Sequence, residues 1–256
     1  MSEYIENFKR TEIKYLLSSD QFEKLFSFLQ GFAKVDAYGK TRINNIYFDT
    51  PDYLMIRTSL EKPVYKEKLR LRTYGDTTDS TNSFIEIKKK YDGIVYKRRV
   101  SGTYKAAYDY LVNGGAPLDE SQISREIAGL IYMYDGLKPA MRISYDRVAM
   151  AGTVDSDFRV TFDTNIEWST DSLDLREKAV GTPIIEEGQY MMEIKVKDAM
   201  SLELTKKLSE LEIFPASFSK YGRGYIDMIQ MSSEMCYENR TETNITSSKK
   251  GVRVYA

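Results

Sequence analysis

Apolar residues recur at every second position over much of this chain, and the repeats fall into separate blocks. Alternation of this kind describes strands with one buried face. It predicts strands over 9–17, 43–49, 66–74, 83–90, 94–101, 140–149, 157–163 and 190–197. Helical spacing intervenes at 19–30, 103–112, 122–135, 200–211 and 219–231, with Ser19 or Asp20 as the N-cap of the first helix. Asp92-Gly93 between two of the strands is a hairpin signal. Eight strands with helices between them predict an α+β fold dominated by an antiparallel sheet. One domain is expected over 1–231, followed by a polar and flexible tail over 232–256.

The polar positions of these strands are mostly cationic. Lys66, Lys68, Arg70 and Arg72 fall on one parity, with Leu69 and Leu71 on the other. Arg10, Glu12 and Lys14 share a face of the first strand, as do Glu86 and Lys88 of the fourth. Lys97 shares a face with Arg99, while Arg98 is opposite. Tyr145 accompanies Arg147, Arg159 accompanies Asp163, and Glu193 accompanies Lys195. A single strand of this kind reads most simply as half of a wet sheet. The set reads differently, because the whole chain has a net charge of only −1. The acids on these faces are too few to pair the cations. Closing the sheet with its charged faces inward gives an eight-stranded antiparallel β-barrel tunnel with a polar, basic lumen and helices outside. Such a lumen is tolerable only when filled by water and a polyanion, since buried unpaired charges are costly. Phosphate chains match Arg and Lys donors well.

Composition removes several chemistries. With no histidine there is no Ser-His-Asp triad, phosphohistidine or His-ligated metal. The single cysteine, Cys236, forms no internal disulfide and fits a cytoplasmic protein. The near-neutral charge argues against nucleic acid as a partner, and no apolar run reaches membrane-spanning length. Gly39-Lys40-Thr41 lacks the preceding glycine of a phosphate-binding loop, and Trp168 reads as a packing residue.

Six motifs then occur in order: RTEIKY from Arg10, RLRTYG from Arg70, FIEIKKK from Phe84, SYDR from Ser144, MEIKVK from Met192 and SFSKYGRG from Ser217. Over about 8–228 the chain resembles the vacuolar transporter chaperone (VTC) domain, the polyphosphate polymerase branch of the triphosphate tunnel metalloenzymes. The resemblance implies transfer of the γ-phosphate of ATP onto polyphosphate within the tunnel, with Mn or Mg as cofactor. It implies catalytic roles for Lys14, Arg70, Arg72, Lys88, Arg147 and Lys220. Arg10, Lys97, Arg98, Tyr145, Arg159, Lys195 and Ser219 would contact substrate, with Lys97 and Arg98 competing for one position. Glu193, with Glu12 or Glu86, would hold the metal. Arg10 stands where cyclase and thiamine-triphosphatase relatives carry an acid, which favours the polyphosphate branch. A hydrolase of triphosphate and a non-catalytic polyphosphate-binding module are the alternatives. Export of the polymer would need a separate membrane partner.

Overall fold

The computed structural model describes residues 11–92, 94–155, 157–197 and 199–248, with 235–248 described by backbone alone. The strands are β1 (Thr11–Leu17), β2 (Ala33–Asp49), β3 (Tyr65–Tyr74), β4 (Asn82–Tyr91), β5 (Ile94–Thr103), β6 (Lys138–Gly152), β7 (Arg159–Ser169), β8 (Thr182–Pro183) and β9 (Tyr190–Val196). The helices are α1 (Ser19–Leu29), α2 (Leu54–Leu60), α3 (Tyr104–Asn113), α4 (Gln122–Met133), α5 (Leu202–Glu210) and α6 (Lys220–Ser248). Among the described residues, no helix is long and apolar enough to cross a membrane.

All strands pair antiparallel in one sheet of order β1-β9-β7-β6-β2-β3-β4-β5, with the short β8 on β7. This corrects the expected closed eight-stranded barrel. The ladder has nine strands, and it is open among the described residues, because β1 and β5 are edges without a mutual pairing. Side chains bridge the gap instead: Lys88 of β4 reaches Glu12 of β1 at 3.7 Å. The curled sheet therefore has an inner face, which we call the lumen.

Parity decides what each face meets. The outer face of β1, β7 and β9 supplies Tyr15, Phe162 and Ile194 to a core covered by Leu25 and Leu29 of α1 and Leu204 and Leu208 of α5. The outer face of β3, β4 and β5 supplies Leu69, Leu71, Ile85, Ile87 and Val100 to a second core under α3 and α4. Both follow the alternation read from the sequence. A third cluster does not. Ile43, Tyr47, Met141, Ile143 and Tyr145 lie on the inner face, where Ile56 of α2 and Tyr221 of α6 pack against them. One end of the lumen is thus apolar and filled by a helix, not polar throughout.

Local signals explain the helix starts. Ser18, one residue before the expected cap, makes a capping box with Gln21. Thr103, Ser121 and Ser201 cap α3, α4 and α5. Buried Asp49 accepts hydrogen bonds from the Thr50, Met55 and Ile56 amides and from the Tyr221 hydroxyl. One carboxylate therefore fixes the start of α2 and the position of α6. Gly224 lets α6 sit close to the sheet: a Cβ there would lie 2.8 Å from Met141 Sδ and 3.0 Å from Trp168 Cβ.

Candidate functional site

The register carries the charged parity of each strand into the lumen. Lys68 lies opposite Lys88, Arg70 opposite Glu86, and Arg72 opposite Phe84. The next strand adds Arg99 opposite Glu86 and Lys97 opposite Lys88. Across the sheet, Lys14 lies opposite Glu193, Glu12 opposite Lys195, and Arg147 opposite Asp163.

The inner face is not a plain row of mutually repelling cations: the acids are fewer than the cations, as expected, but buried ones organise them. Three acidic centres organise it. Glu86, 1% exposed, takes Arg70 at 2.7 Å and Lys97 at 2.7 Å, with Arg72 at 3.8 Å. Asp163, also buried, accepts from Nε and Nη2 on one edge of the Arg147 guanidinium at 2.6 and 2.7 Å and from Lys220 at 2.6 Å. Glu193 pairs with Lys195 and lies 3.9 Å from Lys14, which also reaches Glu12 at 3.5 Å. Each acid serves more than one cation, so positive charge is left over and held in place.

The start of α6 completes the site. Pro215 bridges to Tyr15, and the Ala216 amide donates to the Lys14 carbonyl, so this segment runs beside β1. Lys14 donates to the Phe218 carbonyl at 3.0 Å, and Lys68 donates to Ser219 Oγ at 3.0 Å. Ser219 Oγ in turn accepts the Gly222 amide at 3.2 Å. The positive end of a long helix is thereby aimed into a cationic lumen.

Aromatic hydroxyls line the floor. Arg70 donates to Tyr47, and Arg72 donates to Asn45 and to Tyr145. Lys220 Nζ sits 4.5 Å above the Tyr145 ring, and Tyr47 stacks on Tyr221. Burial alone would raise the Tyr47 phenol, but Arg70, Lys68 and Arg72 bring it down to about 8. Burial lowers Lys68 to about 8. Burial also lowers Lys88 and Lys97. Burial would raise Glu86, yet Arg70, Arg72 and Lys97 hold it down at about 2. Asp163 is likewise held low, against its burial, by Lys220 and Arg147. Glu193 is held below the carboxylate range, against burial, by Lys195 and then Lys14.

The residues expected from sequence divide as follows. Lys14, Arg70, Arg72, Lys88, Lys97, Tyr145, Arg147, Glu193, Lys195, Ser219, Lys220, Glu12 and Glu86 come together on the inner face. Arg98 does not: it pairs with Ile87, on the face that carries Val100 to the outer core. Of the two competing residues, Lys97 is the inward one. Arg159 is at the rim, 49% exposed and 3.8 Å from Asp36. Arg10 lies outside the described residues. Sequence reasoning missed Asp163, Tyr47, Asn45 and Lys68 as site residues. Lys68 carries the parity of Arg70 and was legible on that ground; Tyr47 and Asn45 have no charge to mark them.

The acids expected to hold a metal are not one group. Glu86 is committed to its three cations, whereas Glu12 and Glu193 are both within reach of the Lys14 ammonium, at 3.5 and 3.9 Å. Among the described residues no cluster of three acidic, histidine or cysteine side chains is spaced to hold an ion. Glu12 and Glu193 offer two hard oxygen donors, which suits a divalent ion whose other ligands are phosphate oxygens and water.

Comparison with known proteins agrees with this geometry. The VTC domain family matches residues 9–229. Subunit 4 of the vacuolar transporter chaperone complex is 25% identical in Trypanosoma cruzi, over 71% of this chain and 27% of that protein. The Schizosaccharomyces pombe subunit 4 is 28% identical, over 61% of this chain and 24% of that protein. The chain thus spans about a quarter of the length of these curated relatives. The crystal structure of a candidate adenylate cyclase from Bacillus halodurans superposes with a TM-score of 0.51 at 16% identity, over 81% of this chain and 92% of that one, which is a likeness of fold. A family match spanning nearly the whole inner face and the start of α6 leaves one assignment: the chain belongs to the VTC domain family.

Proposed function

We propose that this domain is a polyphosphate polymerase, which transfers the γ-phosphate of ATP to the end of a phosphate chain held in the lumen. The observation that carries this reading is the excess of inward cations fixed in place by buried Glu86 and Asp163. Phosphoryl transfer depends on positioning and charge neutralisation, and pre-oriented donors supply both without reorganising. Arg70, Arg72 and Arg147 present guanidinium groups for paired contacts to phosphate oxygens. Lys14, Lys68 and Lys220, gathered at the start of α6, add point charges. In the step itself a terminal oxygen of the chain forms a bond to the γ-phosphorus of ATP. The bond from that phosphorus to the bridging oxygen breaks, and ADP leaves with the electron pair. No side-chain nucleophile is required.

Glu12 and Glu193 would hold Mn or Mg, which supplies charge neutralisation on phosphate oxygens. Lys195 and Lys14 keep the Glu193 carboxylate ionised, and Lys14 pairs with Glu12 beside it. The subunit names of the relatives support a place beside a membrane assembly, which would carry the product away.

The test is incubation of the purified chain with ATP and Mn, with the products resolved by chain length. Growth of long phosphate chains in step with ADP release is the expected result. Release of orthophosphate alone would make the domain a hydrolase, and loss of neither ATP nor chain would make it a binding module.

A further inference from the structure

The lumen changes character along its length. Beyond Lys68 and Lys88, at the end nearest α2, the inward parity of β3 and β4 continues with Lys66 opposite Lys90, and Lys66 donates to the Ser59 carbonyl at 3.2 Å. At the opposite end the same parity turns aromatic. Tyr74, two residues past Arg72 and the last of β3, lies opposite inward Ile43 of β2. Phe84 lies opposite Arg72 and meets the Tyr74 ring edge to face, with centres 5.8 Å apart. Arg99, opposite Glu86, holds its guanidinium 4.9 Å from the Phe84 ring centre, and the Arg72 guanidinium is 6.0 Å from that of Tyr74.

Packing alone leaves this cluster unexplained. Tyr74 is 41% exposed, Arg99 is exposed, and Phe84 is only partly buried. The helix α6 fills the other end, where Tyr221 donates to Asp49 at the end of β2. Two rings flanked by two guanidinium groups and open to water are a stacking surface for a neutral planar heterocycle. The surface adjoins the phosphate donors. Tyr74 and Arg72 are about 7 Å apart along the strand, a span of the order that a ribose bridges between a phosphate and a base.

We propose that Tyr74, Phe84 and Arg99 form the nucleobase subsite for the donor nucleotide, with the base stacked on Tyr74 and its phosphates running inward past Arg72 and Arg70. The inference rests on ATP as the donor proposed above, and it adds the end of the lumen from which ATP enters. The lysine end presents charge without an inward ring on β3, β4 or β5, so it suits a phosphate chain and not a base. Stacking accepts any base, so GTP should occupy the subsite as ATP does.

The experiment is calorimetry of the full chain with a non-hydrolysable ATP analogue and with tripolyphosphate, for wild type and Tyr74→Ala. Arg72 keeps Asn45 and Tyr145 as partners in the variant. The analogue should bind about fivefold or more weakly, as expected for loss of one stacked base, while tripolyphosphate binds as in the wild type. Tyr74→Phe should restore the analogue. If Tyr74→Ala does not fold, saturation of the aromatic ring protons of the wild type should transfer to the adenine H2 and H8 protons of the bound analogue. Unchanged analogue affinity in a folded Tyr74→Ala protein overturns the subsite and leaves ATP standing as donor. So does equal weakening of both ligands, which would make Tyr74 a support for Arg72, and so does absence of saturation transfer. A wild type that binds tripolyphosphate but not the analogue overturns the donor reading itself, and the subsite with it.

Discussion

Lys68 shows how one residue reports on the lumen. Its ammonium is half-buried, and desolvation, with the charges of Lys66, Lys14 and Lys88, brings its pKa down from 10.5 to about 8. The folded state therefore disfavours the charged form. Below pH 8 the charge is present and its burial costs stability; as pH rises from 8 toward 10.5 that cost is relieved. An anion beside Lys68 reverses the preference and keeps the proton on. Sulfate, whose own charge is constant over this range, should thus bind more weakly at pH 9 than at pH 7. Tyr47 titrates in the same range and adds a negative charge in the same direction, and burial lowers Lys88 and Lys97 as well. Lys68→Met and Tyr47→Phe should each remove part of the fall, as read by calorimetry at the two pH values. Equal sulfate affinity in the wild type at both would show that these groups do not face the bound anion. Glu193 makes the complementary case. Glu193→Gln removes a negative charge between Lys14 and Lys195, so tripolyphosphate should bind as well or better while ATP turnover collapses. Turnover that survives the substitution would leave Glu193 outside the mechanism.

At the scale of elements, the strands were legible because burial of one face imposes alternation, and Leu69 and Leu71 against Arg70 and Arg72 state it directly. The long helices were legible from their apolar spacing and caps. Three features were not. The short α2 owes its start to Asp49, a contact set by tertiary packing. The N-terminal half of β2 runs through Gly39 with a register shift between Val35 and Lys40, so its alternation is interrupted. The partial filling of the lumen by α6 follows from inner-face residues such as Ile43 and Met141, which read as ordinary strand apolar positions. Gly224 tests this packing. Gly224→Val places a side chain against Met141 and Trp168 and should cost about 1–3 kcal/mol of stability by overpacking. Because α6 also carries Lys220, tripolyphosphate affinity should fall with it. Gly129, in α4, has nothing within 4 Å of a built Cβ. Gly129→Ala should leave affinity alone and stabilise by up to about 1 kcal/mol. Thermal unfolding of the two variants makes the comparison, and a Gly224→Val protein as stable as wild type would contradict the close approach of α6.

For the whole molecule, a net charge of −1 conceals a division: cations are gathered inside the curled sheet while acids are dispersed elsewhere. The inward cations are only partly neutralised by Glu12, Glu86, Asp163 and Glu193, so the folded chain should gain stability from any anion that fits. Tripolyphosphate at about 100 times its Kd should add about 2.7 kcal/mol, seen as a rise in Tm, and the gain should shrink in high salt as charges are screened. A Tm indifferent to tripolyphosphate would reduce the inner face to a solvated sheet surface. The central claim is narrower: strand parity sorts binding cations from bystanders. Lys97 and Arg98 are consecutive and both exposed, yet Lys97 reaches Glu86 in the lumen and Arg98 lies on the opposite face beside Ile87. The most direct measurement is tripolyphosphate affinity by calorimetry for Lys97→Ala and Arg98→Ala. Loss of a charge-assisted contact should weaken the Lys97→Ala protein by about tenfold or more, and the Arg98→Ala protein should stay close to wild type. Equal losses in the two, or a larger loss in Arg98→Ala, would contradict the inward assignment of the site.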